Sequence, residues 1–489
     1  MIQFSKLKIR LVTMARIVGF FSMGFSLTLL IPILISFWYQ DQEAIHFLHA
    51  FLMMFIPGSL LWLVSRNKNY ELSVRDGFLV VTIFWSWISL LASWPFILGA
   101  HLSYTDAIFE SISAFTTTGS TVITDLEHLP KSILFYRQQL QWFGGMGMVV
   151  LAIAVLPMIG VGGMQLYKAE APGPFKEQKI TPRLSQTARS LWGIYVIMTL
   201  ANALAYWWAG MTLFDAIAHA LSTVSTGGFS THDASLGYYQ SPLIESIAII
   251  FMLLGGINFS IHYLVWHKGS VRPYFEDVEV RNFLIFVAMV VLFSSLLLFA
   301  QGTYSSFFKS FENAFFEVVS IVTSTGFGTA DFSLWPGALP VLLIFISFVG
   351  GCGGSTAGGM KVMRINVIVQ QGFREIKRLV HPRAQYPIRV GKQLLSERTV
   401  EAVWGFMAMY MVTFILLMLL MLQTGVDQVT AFSAIATCMN NLGPGLGDVT
   451  TTFAAISDSG KIIAMAAMLL GRLEVFTILV ILSPAFWKQ

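Results

Sequence analysis

Ten stretches of this chain are long and apolar enough to cross a bilayer, near 17–37, 48–65, 77–99, 139–167, 190–210, 243–266, 282–300, 338–363, 401–423 and 462–485. A run of about 20 residues rising 1.5 Å each matches the hydrocarbon thickness, and inside it only structures that satisfy their own backbone hydrogen bonds persist. Charged residues make up 11% of the 489 positions, too few to coat the separate water-facing domains that a soluble chain of this length builds. The expected fold class is therefore an all-α integral membrane protein of about ten transmembrane helices.

The placement of charge predicts the orientation. Crossing alternately from a cytoplasmic start puts 24 of the 30 Lys and Arg residues on the cytoplasmic side, in Lys6 to Arg16, Arg66 to Arg75, Lys168 to Arg189, Lys268 to Arg281, Arg364 to Arg398 and at Lys488. Only Lys131, Arg137, Lys309 and Lys461 fall outside. This positive-inside bias predicts a multi-pass protein with both termini in the cytoplasm. The first apolar run is too long for a signal-peptide core and is expected to be retained. The net charge of +4 follows from topology and does not call for nucleic acid. The two cysteines, Cys352 and Cys438, sit in apolar or glycine-rich surroundings and offer neither a disulfide framework nor a CxxC metal site.

Four shorter apolar pieces lie near 105–117, 213–225, 311–324 and 429–440, each followed at once by a glycine-bearing stretch. Asp106-Ala-Ile-Phe-Glu-Ser-Ile-Ser-Ala-Phe-Thr-Thr-Thr-Gly119 matches Asp215-Ala-Ile-Ala-His-Ala-Leu-Ser-Thr-Val-Ser-Thr-Gly227, then Asn313-Ala-Phe-Phe-Glu-Val-Val-Ser-Ile-Val-Thr-Ser-Thr-Gly326 and the more diverged Ala431-Phe-Ser-Ala-Ile-Ala-Thr-Cys-Met-Asn-Asn-Leu-Gly443. The repeating unit is span, short helix, glycine turn, span. The expected architecture is four tandem helix-pore loop-helix repeats around a central pore with pseudo-fourfold symmetry, preceded by two extra transmembrane helices. The boundaries are 1–70 for the leading pair, then 71–185, 186–275, 276–395 and 396–489 for the repeats.

Irregular backbone at membrane depth is tolerated only where it is buried in protein or lines water. Rings of backbone carbonyls are one way to accept an alkali cation from water, and glycine supplies the required left-handed backbone without a Cβ clash. Short helices starting near Asp106, Asp215, Asn313 and Ala431 would aim the negative ends of their dipoles at the pore centre. Glu110 and Glu317 hold the same place in two repeats, with His219 in the second, and are expected to support the loops. Residues 350–359 carry Gly350, Gly351, Gly353, Gly354, Gly358 and Gly359, a composition that breaks a helix near mid-membrane. Arg472 lies inside the last span, where a charge must face protein or water and find a partner, with Glu474 as one choice.

These features together, with the run Phe348-Val-Gly-Gly-Cys-Gly-Gly-Ser-Thr-Ala-Gly-Gly-Met-Lys361, resemble the Trk/Ktr/HKT potassium transport superfamily, and within it the TrkH/TrkG-type membrane subunit of the bacterial Trk potassium uptake system. The resemblance covers essentially the whole chain. It implies a selectivity filter and potassium site at Thr117, Thr118, Gly119, Ser225, Thr226, Gly227, Thr325, Gly326, Asn441, Leu442 and Gly443. An intact set of four glycines is the potassium-selective pattern, since related sodium-favouring transporters often carry serine at the first. It also implies an intramembrane gate at 350–361 that includes Lys361 and lies near Arg472. Further implications are a bacterial inner-membrane location, a homodimer, contact with membrane lipid, and a cytosolic TrkA-type partner that carries NAD or ATP. Gly353-Gly354-Ser355-Thr356 lacks the Gly-Lys-Ser/Thr ending of a P-loop, so no nucleotide is expected on this chain.

The same pattern also fits a sodium-permeable or proton- or sodium-coupled symporter of this fold. A secondary transporter built on inverted repeats fits less well, because every unit here starts from the cytoplasm. No positioned nucleophile-base pair points to an enzyme.

Overall fold

Lipid-facing apolar residues need no burial by protein, so long helices here need only a narrow packed stripe. The computed structural model describes residues 2–65, 74–154, 184–391 and 393–487; Arg66, Lys68, Lys168 and the end of the crossing expected at 139–167 lie outside them. Among the described residues six helices are long and apolar enough to cross a membrane, and eight crossings result when two bent pairs are counted. Each of the six buries only 22–39% of its most apolar window inside the protein. Two further expected crossings are the helix Lys131–Ala154 and the pair Leu339–Ser347 and Val362–Val380. The fold is all-α apart from a two-residue antiparallel pairing of Arg389–Val390 with Gln393–Leu394.

The leading pair, Ile2–Ser26 and Ala44–Ser65, crosses at two glycines. A Cβ on Gly19 would lie 2.6 Å from the Gly58 carbonyl oxygen, and one on Gly58 would lie 3.0 Å from that of Gly19. Helix association in lipid depends on such close backbone approach.

The four short helices, Tyr104–Phe115, Leu213–Val224, Phe307–Val322 and Gln428–Asn440, occupy the centre. At 12, 12, 16 and 13 residues they are marginal alone in water, so their helicity rests on burial. Phe109, Ala216, Phe316 and Ala434 are fully enclosed by the surrounding spans.

Two spans expected to be continuous are broken. The stretch 243–266 becomes Pro242–Gly255 and Phe259–Lys268, bent by 100°, and 462–485 becomes Asp458–Arg472 and Phe476–Leu482, bent by 110°. Local chemistry explains both. Asn258 starts a new helix by accepting from Ser260 N after Gly255 and Gly256, while Glu474 and Val475 take φ of 55° and 50°. Hydropathy averaged over a window passes over such kinks because apolar residues continue on both sides of the break.

Candidate functional site: a closed ring of loops above a glycine-rich strap

The starts of the short helices differ from expectation. Ser103, Thr212, Ser306 and Asp427 are the capping residues, each accepting a backbone N–H of the first turn. Asp106 and Asp215 stand three residues later, where each accepts a bond back from the cap hydroxyl, at 2.9 Å from Ser103 Oγ and 2.7 Å from Thr212 Oγ1. The return bond comes from the cap's own hydroxyl and not from its backbone N–H, so this is a variant of the capping box, with Asp in the place of Glu. Asp106 also pairs with Lys461 Nζ at 2.6 Å. Asn313 lies well inside its helix and bonds Lys309 O, and the fourth helix begins before Ala431.

The ends of the four helices share one geometry. Thr117, Thr226, Ser324 and Asn441 have φ of 55°, 52°, 52° and 51°. The next N–H in each repeat reaches back to the last turn: Thr118 to Ser113 O at 2.8 Å, Gly227 to Ser222 O at 2.8 Å, Thr325 to Ser320 O at 2.8 Å, and Leu442 to Thr437 O at 2.9 Å. These are Schellman closures, but the left-handed position usually held by glycine carries a polar side chain in all four. Non-glycine residues held there store backbone strain, which tends to mark functional sites.

Two positions further on, φ turns positive again at Gly119, Gly228, Gly326 and Gly443, with values of 81°, 79°, 80° and 97°. The equivalent glycine of the second repeat is thus Gly228, a correction of one residue to the sequence alignment on Gly227. Gly227 stands level with Thr118, Thr325 and Leu442. The Gly-Gly pair made either register plausible, and only the backbone twist distinguishes them.

These segments close on one another. A Cβ on Gly119 would collide with Gly227 O, one on Gly228 with Thr325 O, one on Gly326 with Leu442 O, and one on Gly443 would lie 2.9 Å from Thr118 O. The four loops therefore surround a single axis. Alternating left- and right-handed residues send N–H groups to one side of the chain and carbonyls to the other. The N–H groups of Thr117, Thr118, Ser324, Thr325, Asn441 and Leu442 are bonded into the helix ends. Among the described residues no donor reaches the carbonyls of Thr117, Thr118, Ser324, Thr325, Asn441 or Leu442, although these residues are buried. Buried carbonyls without donors are rare, and each calls for an explanation.

Side chains hold the loops from behind. Glu110 accepts from Val122 N at 3.0 Å and Arg137 Nε at 2.8 Å, both carboxylate and guanidinium being almost fully buried. Arg137 extends to Ser230 O of the second repeat. Glu317 accepts from Thr329 N and Ala330 N at 2.8 and 3.0 Å, and His219 reaches Ser230 Oγ at 2.9 Å. Sequence reasoning overlooked Ser113 and Ser320, whose hydroxyls donate to Ser120 O and Phe327 O at 2.5 and 2.6 Å, and Gln141, which donates to Gly227 O at 2.6 Å. The serine was legible as a shared column of the repeat. Gln141 and Arg137 gave no such signal because they come from a separate helix.

Outside the ring, a cavity of about 320 Å³ is lined by Gly119, Gly228 and Gly326 together with Asp233 and Asp331. Asp125, Glu127 and Asp233 group their carboxylates within 4.8 Å, giving this side of the protein a negative rim.

On the other side, residues 348–361 form an irregular strap between Leu339–Ser347 and Val362–Val380. Gly350, Gly354 and Gly359 take φ of 68°, 71° and 74°. The strap lies directly against the ring: Thr226 Oγ1 bonds Thr356 Oγ1 at 3.2 Å, and Gly358 N bonds Ser324 Oγ at 2.5 Å. Gly351 packs on the elbow of the second repeat, and Cys352 N bonds Gly256 O at 2.8 Å, while Gly353 N reaches Glu279. Arg472, 1% exposed, donates to Thr356 O at 3.1 Å and Gly144 O at 3.0 Å, and lies over the Trp85 ring. Lys361 Nζ donates to Ala357 O. Glu474 is not the partner of Arg472; it pairs with Arg364 at 2.7 Å. The break after Arg472 turns Glu474 away toward the helix that follows the strap.

The family model described as "TrkH: Cation transport protein" matches residues 43–489. The "Trk system potassium uptake protein TrkH" of Vibrio parahaemolyticus is 50% identical over 478 residues, covering 97% of this chain and 99% of that protein. The protein of the same name from Escherichia coli strain K12 is 48% identical over 476 residues, with 97% and 99% covered, and TrkG of that strain is 39% identical over 473, with 96% and 97% covered. The crystal structure of the potassium transporter TrkH from Vibrio parahaemolyticus superimposes with a TM-score of 0.91 at 46% identity, covering 98% of this chain and 100% of that one.

Proposed function

Because this chain belongs to the TrkH family of cation transport proteins within the Trk/Ktr superfamily, we propose that it conducts potassium along the axis enclosed by its four loops. It is the potassium-translocating membrane subunit of a bacterial Trk-type uptake system, and a transport protein rather than an enzyme.

In this reading the filter is the stretch from Thr117 to Gly119 with Thr226 to Gly228, Ser324 to Gly326 and Asn441 to Gly443. The supporting observation is the set of buried carbonyls left without donors around one axis. A dehydrated potassium ion supplies the missing partner, trading water oxygens for peptide oxygens. The carboxyl ends of four short helices add negative dipole potential at the same place. The rim carboxylates concentrate cations at the entrance.

The strap at 350–361 is the gate, and it occupies the ion path immediately inside the filter. Arg472 restrains it through Thr356 O and adds positive charge that opposes a passing cation. The basic stretch from Arg364 to Arg398 faces the cytoplasm, as the positive-inside bias requires, and receives a TrkA-type cytosolic partner carrying NAD or ATP. A homodimer in the bacterial inner membrane, each protomer with its own path, completes the reading.

Gly326→Ser tests the filter. Serine at φ 80° is strained, and its Cβ meets Leu442 O and stands 2.7 Å from Pro444 Cδ. Potassium and sodium uptake into proteoliposomes should show a lower potassium rate and a reduced preference over sodium. Unchanged rate and selectivity would remove residue 326 from the filter.

A further inference from the structure

Three of the strap's contacts to its surroundings join neutral groups, Cys352 N to Gly256 O, Thr356 N to Gly255 O and Gly358 N to Ser324 Oγ, and a fourth, Arg472 Nη1 to Thr356 O, joins a charged donor to a neutral acceptor. Glu279 is different. Its Oε1 accepts from Gly353 N at 2.8 Å, and the residue is 2% exposed. A charge-assisted bond in a medium of low dielectric is stronger than a neutral one.

The carboxylate is also rigidly mounted. It stands on the first turn of Val278–Ala300, where Asp277 Oδ1 accepts from Glu279 N and Val280 N at 3.0 Å each. Next to it, Val278 is met by the hairpin of the basic segment: a Cβ on Gly391 would lie 2.9 Å from Val278 Cγ2. That hairpin is itself packed, with Ile388 and Val390 buried against Met363, Val367, Val400 and Val403. A continuous path thus runs from the hairpin at 389–394 through Val278 and Glu279 to the peptide at Gly353.

We propose that Glu279 is the latch of the strap: its bond to Gly353 holds the loop in the ion path, and displacement of the 389–394 hairpin releases it. This rests on the assignment of 350–361 as the gate. Glu279 is a positioning residue that touches no ion. It lies on the helix beginning at Val278 and bonds the strap at Gly353, whereas the strap's bonds to the filter loops are made at Thr356 and Gly358. Releasing it should therefore change how often the path is open without changing which cation passes.

The native cysteines provide a direct readout. Cys352 sits beside Gly353 and is fully buried, and Cys438→Ser removes the only other thiol in the chain. In that background, full-length protein in proteoliposomes is compared with Glu279→Ala, Glu279→Gln and Arg472→Ala. The measurements are basal potassium flux, the potassium-to-sodium ratio, and the rate at which a small methanethiosulfonate modifies Cys352.

Glu279→Ala should raise flux and labelling about tenfold, the scale of one lost bond to a charged group. Glu279→Gln keeps a neutral acceptor and should give about a threefold rise. The cation ratio should stay at the parental value in both. If Glu279→Ala does not fold, the isosteric Gln variant decides, and parental flux with parental labelling overturns the latch. A rise for Arg472→Ala without one for the Glu279 variants overturns the latch while leaving the gate standing. Raised labelling with parental flux in all three overturns the gate assignment and the proposal with it. A fallen cation ratio overturns it as well, since the filter would then have been disturbed.

Discussion

Adding one methyl group at Gly228 is the sharpest test of how the four loops meet. Gly228→Ala forces an L-residue to hold φ of 79° and drives its Cβ into Thr325 O of the next repeat. The left-handed backbone alone costs about 1–2 kcal/mol, and a backbone carbonyl in a packed ring cannot step aside as a flexible side chain can. At about 1.4 kcal/mol per factor of ten, a strain confined to the ion-bound filter lowers potassium occupancy by about 5- to 30-fold. If the strain is relieved instead by rotating the Thr325 peptide, the carbonyl leaves the ring and potassium loses its preference over sodium. Gly328→Ala is the control, because its φ is ordinary and a Cβ there meets nothing within 4 Å. The assay is rubidium uptake into proteoliposomes with increasing sodium as competitor. Gly328→Ala should match the parent, while Gly228→Ala should lose rate, selectivity or both by the stated factor. Parental behaviour at Gly228 would refute the claim that the ring is held at contact distance.

Two further perturbations probe what holds the ring in place. Arg137→Met leaves the Glu110 carboxylate buried without its cation, and breaking such a pair costs about 3–5 kcal/mol. Titration with a denaturing detergent should show that loss, and the double variant Arg137→Met, Glu110→Gln should recover more than half of it; a single variant within about 1 kcal/mol of the parent contradicts the pairing. At the fourth short helix, the Thr430 hydroxyl, followed by the N–H groups of Thr430 and Val429, holds the Asp427 carboxyl below its ordinary 3.8. A depressed acid stabilises the fold above its unfolded value and loses that effect as pH falls through the folded value. The thermal stability of the parent relative to Asp427→Asn should therefore be constant near neutrality and shrink below pH 3.8. A difference that grows on acidification would reverse the sign and refute the cap.

Much of this protein was legible in one dimension because lipid imposes one-dimensional rules. Run length identifies a crossing, and a phrase used four times identifies the repeat. The serine column at Ser113, Ser222 and Ser320 and the shared place of Glu110 and Glu317 were visible for the same reason. The chain alone thus determined that there are four short central helices, where they lie, and that glycine-bearing turns follow them.

Tertiary structure decided how those pieces meet. Whether Gly227 or Gly228 carries the left-handed turn depends on which neighbouring carbonyl leaves no room for a Cβ, and that neighbour lies about a hundred residues away in the chain. The 100° and 110° breaks, the pairing of Glu474 with Arg364 rather than Arg472, and the reach of Arg137 across two repeats have the same origin. Hydrophobicity and propensity are sums over neighbours in sequence and survive averaging. Steric exclusion and buried charge pairing are set by the nearest atoms in space, and packing four loops around one axis brings those atoms from different repeats.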